Sequence, residues 1–329
     1  MESYYLFSNG RLARKDNVVR MEATDGRYKD LKIELIRDLY LFGEVDTNTK
    51  CLNYLAQKEV PVHFFNYYGF YTGSFYPKES NVSGTLLVKQ VASVIDKKRQ
   101  LRLAQQFVAG ATANILRNLR YYKQRGRDIE TSIDSIKSLE KLIPRANAVS
   151  ELMGIEGDIH KYYYGCWEEI LNHKYEFTTR VRRPPDNIVN TLISFVNTMV
   201  YTACLSQIYV TQLNPTVSFL HVPSERRFSL SLDISEIFKP LISDRLIFSL
   251  LNKQIITATD FENGSNGLFL KRTGQTKIIT EFDKYLKTTV RHRDLKRSVS
   301  YRHLIRLECY KLIKDLMGEK AYEPFVIWW

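Results

Sequence analysis

The hydrophobic pattern of this chain changes period once, near residue 85, and that change constrains the fold more than any other feature. Upstream, short β-type runs over 4–7 and 60–65 are cut by turn signals at Asn9-Gly10, Asp16-Asn17 and Asp25-Gly26. Residues 31–40 read as a strand, 47–58 as a short helix, and the aromatic, Gly-punctuated 67–76 as a hairpin. Residues 77–84 have linker composition. Downstream, apolar residues recur at three and four positions through 84–124, 129–142, 146–171, 188–212, 234–251 and 277–316. Those are the spacings of helices, with Pro144 and Pro184-Pro185-Asp186 as breakers. The expectation is an α+β chain. A β-rich domain with its linker spans 1–85, and a larger all-α domain spans 86–329.

Charge divides at the same place. The whole chain carries 48 Lys+Arg against 36 Asp+Glu, a net charge of +12. Residues 1–85 hold 11 of each sign, so the entire excess lies in the helical part. Such a field concentrates polyanions, either nucleic acid or anionic lipid. The length of 329 residues suits two domains, and 44% hydrophobic residues exclude wholesale disorder. Reading the composition, we expect no transmembrane helix, no secretory signal and no membrane association. Cys51, Cys166, Cys204 and Cys309 are far apart and form no C-x-x-C pair, which argues against a disulfide framework and for a cytoplasmic location.

Two basic stretches stand out. Residues 97–127 contain Lys97, Lys98, Arg99, Arg102, Arg117, Arg120, Lys123, Arg125 and Arg127 with no acid, and Tyr121 and Tyr122 lie between them. Cations on a helix face can neutralise phosphates, and tyrosine rings can support sugars or bases. We therefore expect these nine residues to contact nucleic-acid phosphates, the alternative being an ordinary solvated helix face. Residues 271–314 hold thirteen basic residues and four acids, which fits either an anion-binding or an ordinary solvated face.

Three further segments carry candidate chemistry. In Gly154-Ile155-Glu156-Gly157 a carboxylate sits among glycines ahead of Tyr162-Tyr163-Tyr164. Glu156 could hold a hard cation, or it could be a helix-start carboxylate favoured by the macrodipole. His221 ends an apolar run before the turn Val222-Pro223-Ser224, where it is either a ligand or a hydrogen-bonded turn residue. Asp233 and Glu236, three positions apart, share a helix side and need a compensating cation, unless Asp233 is only an N-cap. One histidine with two or three carboxylates suits Mg²⁺ or Mn²⁺.

In this order, these motifs resemble the CRISPR-associated spacer-acquisition integrases, the "protein one" family of that system, in its type I-B form. The resemblance rests on Gly154–Tyr164, on Asn190-Thr191-Leu192-Ile193-Ser194-Phe195 with Tyr201, on Pro215 with Ser218-Phe219-Leu220-His221, and on Ser229 through Pro240. Asn66-Tyr67-Tyr68-Gly69, Ser74-Phe75-Tyr76-Pro77, Ser83-Gly84 and Tyr301-Arg302 extend it over nearly the whole chain. Ala111 and Ser218 depart from the family's common Lys and Gly.

The resemblance implies a metal-dependent DNA endonuclease and transesterase. Glu156, His221 and Glu236 would ligate one Mg²⁺ or Mn²⁺, with Asp233 beside them as a further catalytic residue. The 3′-hydroxyl of a short double-stranded DNA fragment would attack a phosphodiester at the CRISPR repeat, and water in its place would give hydrolysis. Tyr201 would face the scissile region or serve as a core tyrosine. The family pairs through its β domain into homodimers, which flank a dimer of the small CRISPR-associated "protein two". The rival readings are a non-catalytic nucleic-acid scaffold and a structure-selective repair nuclease.

Overall fold

The computed structural model describes residues 1–78, 82–177, 179–181, 185–223, 228–264 and 267–329. Glu79, Ser80 and Asn81 of the expected linker, Pro184 and Ser224 lie outside the described residues. The chain divides into two compact units, Met1–Asn81 with Leu270–Asp283, and Val82–Phe269 with Lys284–Trp329.

In the first unit the turn signals act where the sequence places them. Strand β1 (Glu2–Leu6) precedes β2 (Gly10–Lys15) and β3 (Val18–Ala23), a hairpin closed by Asp16 at φ 52°. Asp and Asn tolerate this left-handed region better than other residues with a Cβ. Gly26, at φ 83°, turns the chain into β4 (Tyr28–Lys32). The expected single strand over 31–40 is instead two. A 3₁₀ turn, Ile33–Leu35, separates β4 from β5 (Ile36–Leu41), and the two strands join different sheets. Ile33 and Ile36 are both buried in one core, so the apolar pattern runs unbroken across a change of sheet. After β6 (Val45–Thr47), helix α1 (Thr49–Gln57) starts at Asn48, whose side chain accepts from the Cys51 N–H. Strands β7 (Val62–Phe65) and β8 (Tyr71–Phe75) make an antiparallel hairpin around Gly69. The sheets have orders β1-β5-β7-β8 and β4-β3-β2-β6. Leu12, Val19, Leu31, Leu39, Leu55 and Val62 close both sheets and α1 onto a single core.

The second unit holds α2 (Gly84–Ile95), α3 (Lys97–Lys123), α4 (Glu130–Glu140), α5 (Val149–Gly165) and α6 (Trp167–Ile170). Next come α7 (Ile188–Tyr209), α8 (Ser229–Phe238) and α9 (Arg245–Asn252). Helix α7 is 22 residues long and apolar enough to cross a membrane by length and composition, but 72% of its apolar window is buried inside the protein. It is the core helix of this unit, its polar positions Ser194, Thr198 and Gln207 bonded to neighbouring residues.

The helical expectation for 234–251 meets an interruption. Residues Lys239–Asp244 form π-helix between α8 and α9. Pro240 has no N–H and its ring displaces the carbonyl one turn back, so the ladder slips to a wider repeat. Asn114 and Asn118, one turn apart on α3, donate to the carbonyls of Ile237 (2.9 Å) and Pro240 (2.7 Å).

The unit is not all-α. Strands β9 (Phe261–Gly264) and β10 (Gly267–Leu270) pair, and so do β11 (Thr289–Arg291) and β12 (Ser298–Ser300). The expected helix over 277–316 is instead α10 (Arg272–Lys287), which through Asp283 belongs to the first unit, then a two-stranded ribbon, and α11 (Tyr301–Met317). Ser300 caps α11 by accepting from the His303 N–H, and Gly318 ends it at φ 83°. All four cysteines are free and buried.

Candidate metal centre

Glu156 lies in the middle of α5, not at a helix start, so the macrodipole does not account for it. One turn on, His160 shares its face. Its Nε2 lies 3.4 Å from Glu156 Oε1 and 3.8 Å from Glu236 Oε2, across on α8. Ligand atoms of Glu156, His160 and Glu236 all lie within 4.8 Å of one another. Glu236 is buried, whereas Glu156 and His160 keep about a fifth of their side-chain surface open to solvent. The next turn of the chain brings the Lys239 ammonium onto Glu236 Oε1.

His221 enters from the loop between α7 and α8. The 214–219 stretch of that loop is held in place. Gln90 bonds both the N–H and C=O of Asn214 and the carbonyl of Val217, and Gln100 donates to the carbonyl of Phe219. Asp233 is fully buried and sits mid-helix, so it is not an N-cap. Its carboxylate accepts the N–H groups of Phe219 (2.7 Å), Leu220 (3.1 Å) and His221 (3.0 Å), and contacts His221 Nδ1 at 2.9 Å. With Nδ1 engaged by Asp233, His221 turns Nε2 toward Glu236 Oε1 at 4.0 Å. The spacing of three between Asp233 and Glu236 thus serves one imidazole from both ends.

Charge is concentrated here. Burial pushes Glu236 up, but the charges of Lys239, His160 and His221 outweigh it and hold the carboxyl at about 2. Burial pulls both imidazoles down, but Glu156 raises His160 and Asp233 raises His221 above the ordinary histidine value. Behind them Asp244 is pushed by burial up to about 7, although Tyr163 donates to it at 2.8 Å. Two carboxylates and an imidazole within ligand reach, with a second imidazole alongside, are donors of the kind Mg²⁺ and Mn²⁺ take. The residues present fit such an ion.

Glu156 and Glu236 therefore converge, and His221 stands beside Glu236. The sequence reading missed His160, although its spacing of four from Glu156 was visible. Asp233 faces the 219–221 backbone. Tyr201 accepts from the Phe228 N–H (3.2 Å) at the start of α8. Ser218 donates to the His221 carbonyl, and Ala111 is buried in α3.

The nine basic residues fall into two groups on or just beyond α3. Lys97 and Arg117 are twenty positions apart, about 30 Å at the helical rise per residue. Arg102 Nη2 donates to both carboxylate oxygens of Asp315 (2.7 and 2.8 Å), and Arg99 lies 3.6 Å from the same carboxylate. The run 97–127 contains no acid of its own, but α11 supplies one there. Lys123 pairs with Glu130, and the Arg125 guanidinium lies 4.2 Å from the Tyr121 ring centroid. Lys97, Lys98, Arg117 and Arg120 are exposed, and Arg127 is half-buried.

A carboxylate–imidazole cluster thus lies at the meeting of two helices, in the unit that carries nearly all of the chain's excess of cations. Residues 4–284 match the family described as CRISPR associated protein Cas1. The chain is 53% identical to the CRISPR-associated endonuclease Cas1 of Fusobacterium nucleatum subsp. nucleatum, over 99% of its own length and 97% of the relative's. A solved Cas1 protein from Thermotoga maritima superposes with a TM-score of 0.89 at 39% identity, covering 98% of this chain and 100% of that one. A casposase bound to its integration product shares the fold, with a TM-score of 0.86 at 20% identity over 98% of this chain and 93% of its own. The chain belongs to the Cas1 family of CRISPR-associated proteins.

Proposed function

We propose that Glu156, His160, His221 and Glu236 hold one divalent cation, Mg²⁺ or Mn²⁺, for DNA strand transfer. The chain is a CRISPR-associated endonuclease and spacer-acquisition integrase. The observation that carries the metal reading is the convergence of Glu156, His160 and Glu236 within 4.8 Å. When bound, such a cation polarises a phosphoryl oxygen and stabilises charge on the attacking or leaving oxygen. The protein's own groups do the rest. Asp233 orients His221, and Lys239 adds a fixed positive charge beside Glu236. The 3′-oxygen of a short double-stranded DNA fragment forms a new bond to phosphorus at the CRISPR repeat, and the original 3′-oxygen leaves. Water as the nucleophile turns the same centre to cleavage.

In this reading the exposed cations of α3 hold the DNA backbone. The β-rich domain over 1–85, which has no net charge, pairs two copies without repulsion, and the basic domain over 86–329 stays free for DNA. The small CRISPR-associated "protein two" dimer joins two such pairs. A substrate in cellular DNA places the protein in the cytoplasm.

The test is strand joining with Mg²⁺ or Mn²⁺. Glu156→Gln and Glu236→Gln should each lower joining by about a hundredfold or more, the scale seen when one group that stabilises transition-state charge is removed. Calorimetric Mn²⁺ binding should weaken in parallel, and in His160→Ala as well. Joining at the wild-type level in Glu156→Gln would overturn the assignment.

A further inference from the structure

We propose that the ribbon β11–β12 is a second DNA-contacting element, one that grips a duplex through its groove phosphates. It rests on the reading of this chain as a DNA integrase and adds a binding surface to it.

The ribbon carries an unusual tip. Over 291–297 it presents Arg291, Arg293, Lys296 and Arg297, all exposed, against the single acid Asp294. Among the described residues no carboxylate pairs with any of the four. This differs from α3, where Asp315 and Glu130 absorb part of the charge. Four cations on so short a span repel one another unless an anion lies across them. The apolar Leu295, 42% exposed, stands among them.

The tip is also built rather than loose. The His292 N–H donates to the Arg297 carbonyl (2.9 Å), and the Lys296 N–H to the His292 carbonyl (3.1 Å). Lys296 takes the left-handed turn position at φ 53°. His292 Nδ1 accepts from the N–H groups of Asp294 (3.1 Å) and Leu295 (3.2 Å). The His292 ring packs edge-on against Trp328, and the Arg293 guanidinium lies 5.4 Å from that indole's centroid. An ordered tip loses less conformational entropy when it binds.

Shape points to a duplex. Paired strands lie about 5 Å apart, and a two-stranded ribbon with its side chains fits a major groove about 12 Å wide. The ribbon's base is tied to the frame of the metal site. The Tyr301 N–H donates to the Thr288 carbonyl, and the Tyr285 hydroxyl donates to the carbonyl of Arg245, the residue after Asp244. The Arg245 side chain in turn donates to Asn118 on α3, which holds the Pro240 carbonyl. DNA held by the ribbon is therefore held by an element joined to the scaffold of Glu236.

The experiment measures binding of the full-length protein to a fluorescein-labelled duplex by anisotropy across a salt series. The triple variant Arg293→Ala/Lys296→Ala/Arg297→Ala should flatten the log–log salt dependence by about 2 to 3, because each lost phosphate contact removes about 0.9 from the slope. The charge-keeping variant Arg293→Lys/Arg297→Lys should retain the wild-type slope. A wild-type slope in the alanine variant overturns the proposal. So does equal loss in the lysine variant, which would mark a structural role. The salt slope is read without strand joining. Failure of Glu156→Gln to reduce joining would therefore strike the metal site and leave the ribbon result standing.

Discussion

The two ends of α3 carry similar sequence and different physics. At the N-terminal end, Arg99 and Arg102 close on Asp315, whose side chain is only 3% exposed and which also accepts the Tyr322 N–H at 2.8 Å. At the C-terminal end, Arg117 and Arg120 are exposed, and among the described residues their side chains have no ion-pair or hydrogen-bond partner. A run of positive charge is thus not one surface. Where the fold brings an acid to it, the charge holds the protein together. Where the fold does not, the charge is available to a ligand.

The sharpest way to break this comparison is at Asp315. Asp315→Ala would strand two guanidinium groups and one backbone N–H. We expect a loss of about 3 kcal/mol, at the low end for a broken buried pair because Arg102 is 42% exposed. Thermal or urea unfolding checks it. Arg102→Ala should likewise lower stability, with little change in the salt dependence of DNA binding. The reverse pattern would move this end into the ligand-facing class.

The first unit offers the same contrast inside one side chain. His63 is fully buried, with Nδ1 on the Ser74 hydroxyl at 2.7 Å and Nε2 buried without a partner. Burial, opposed by the charge of Asp38, takes its pKa from 6.5 down to about 4. The unfolded chain therefore binds this proton first as pH falls. The contribution is complete above pH 6.5, shrinks between 6.5 and about 4, and is level below that. At a pH of about 5 the loss should be about 2 kcal/mol. Unfolding free energies from urea titrations of the wild type and His63→Gln, followed from neutral to mildly acidic pH, should converge by that amount. A constant gap would mean that the imidazole titrates alike in the folded and unfolded chain.

What the sequence discloses follows the range of the interaction. The change of period at residue 85 and the turns at Asp16 and Gly26 depend on neighbouring residues, and they are readable. The switch of sheets at 33–35 is not, because both flanking strands feed the same core and the apolar pattern does not break. The ribbon at 289–300 is hidden by charge, since exposed cations on short strands look like a solvated helix face. Glu156 and Glu236 are readable as residue types suited to a cation. His160 is readable too, four positions after Glu156 in the helix expected over 146–171, and is passed over only because no single motif marks it. Asp315 is least accessible of all, because it lies more than two hundred positions from the arginines it neutralises.

The smallest expected effect tests the open end of the comparison directly. Arg117→Ala/Arg120→Ala breaks no side-chain ion pair or hydrogen bond among the described residues, so stability should stay within about 0.5 kcal/mol of the wild type. Duplex affinity at moderate salt should drop about tenfold, and the salt slope should flatten by about 2, one contact for each guanidinium. Lys123→Ala makes the internal control. Its ammonium already serves Glu130, so it should change the slope less than either arginine alone. If Lys123→Ala flattened the slope as much as Arg120→Ala, pairing with an exposed acid would not withdraw a cation from DNA. Only burial of the partner, as at Asp315, would then separate the two ends of the helix.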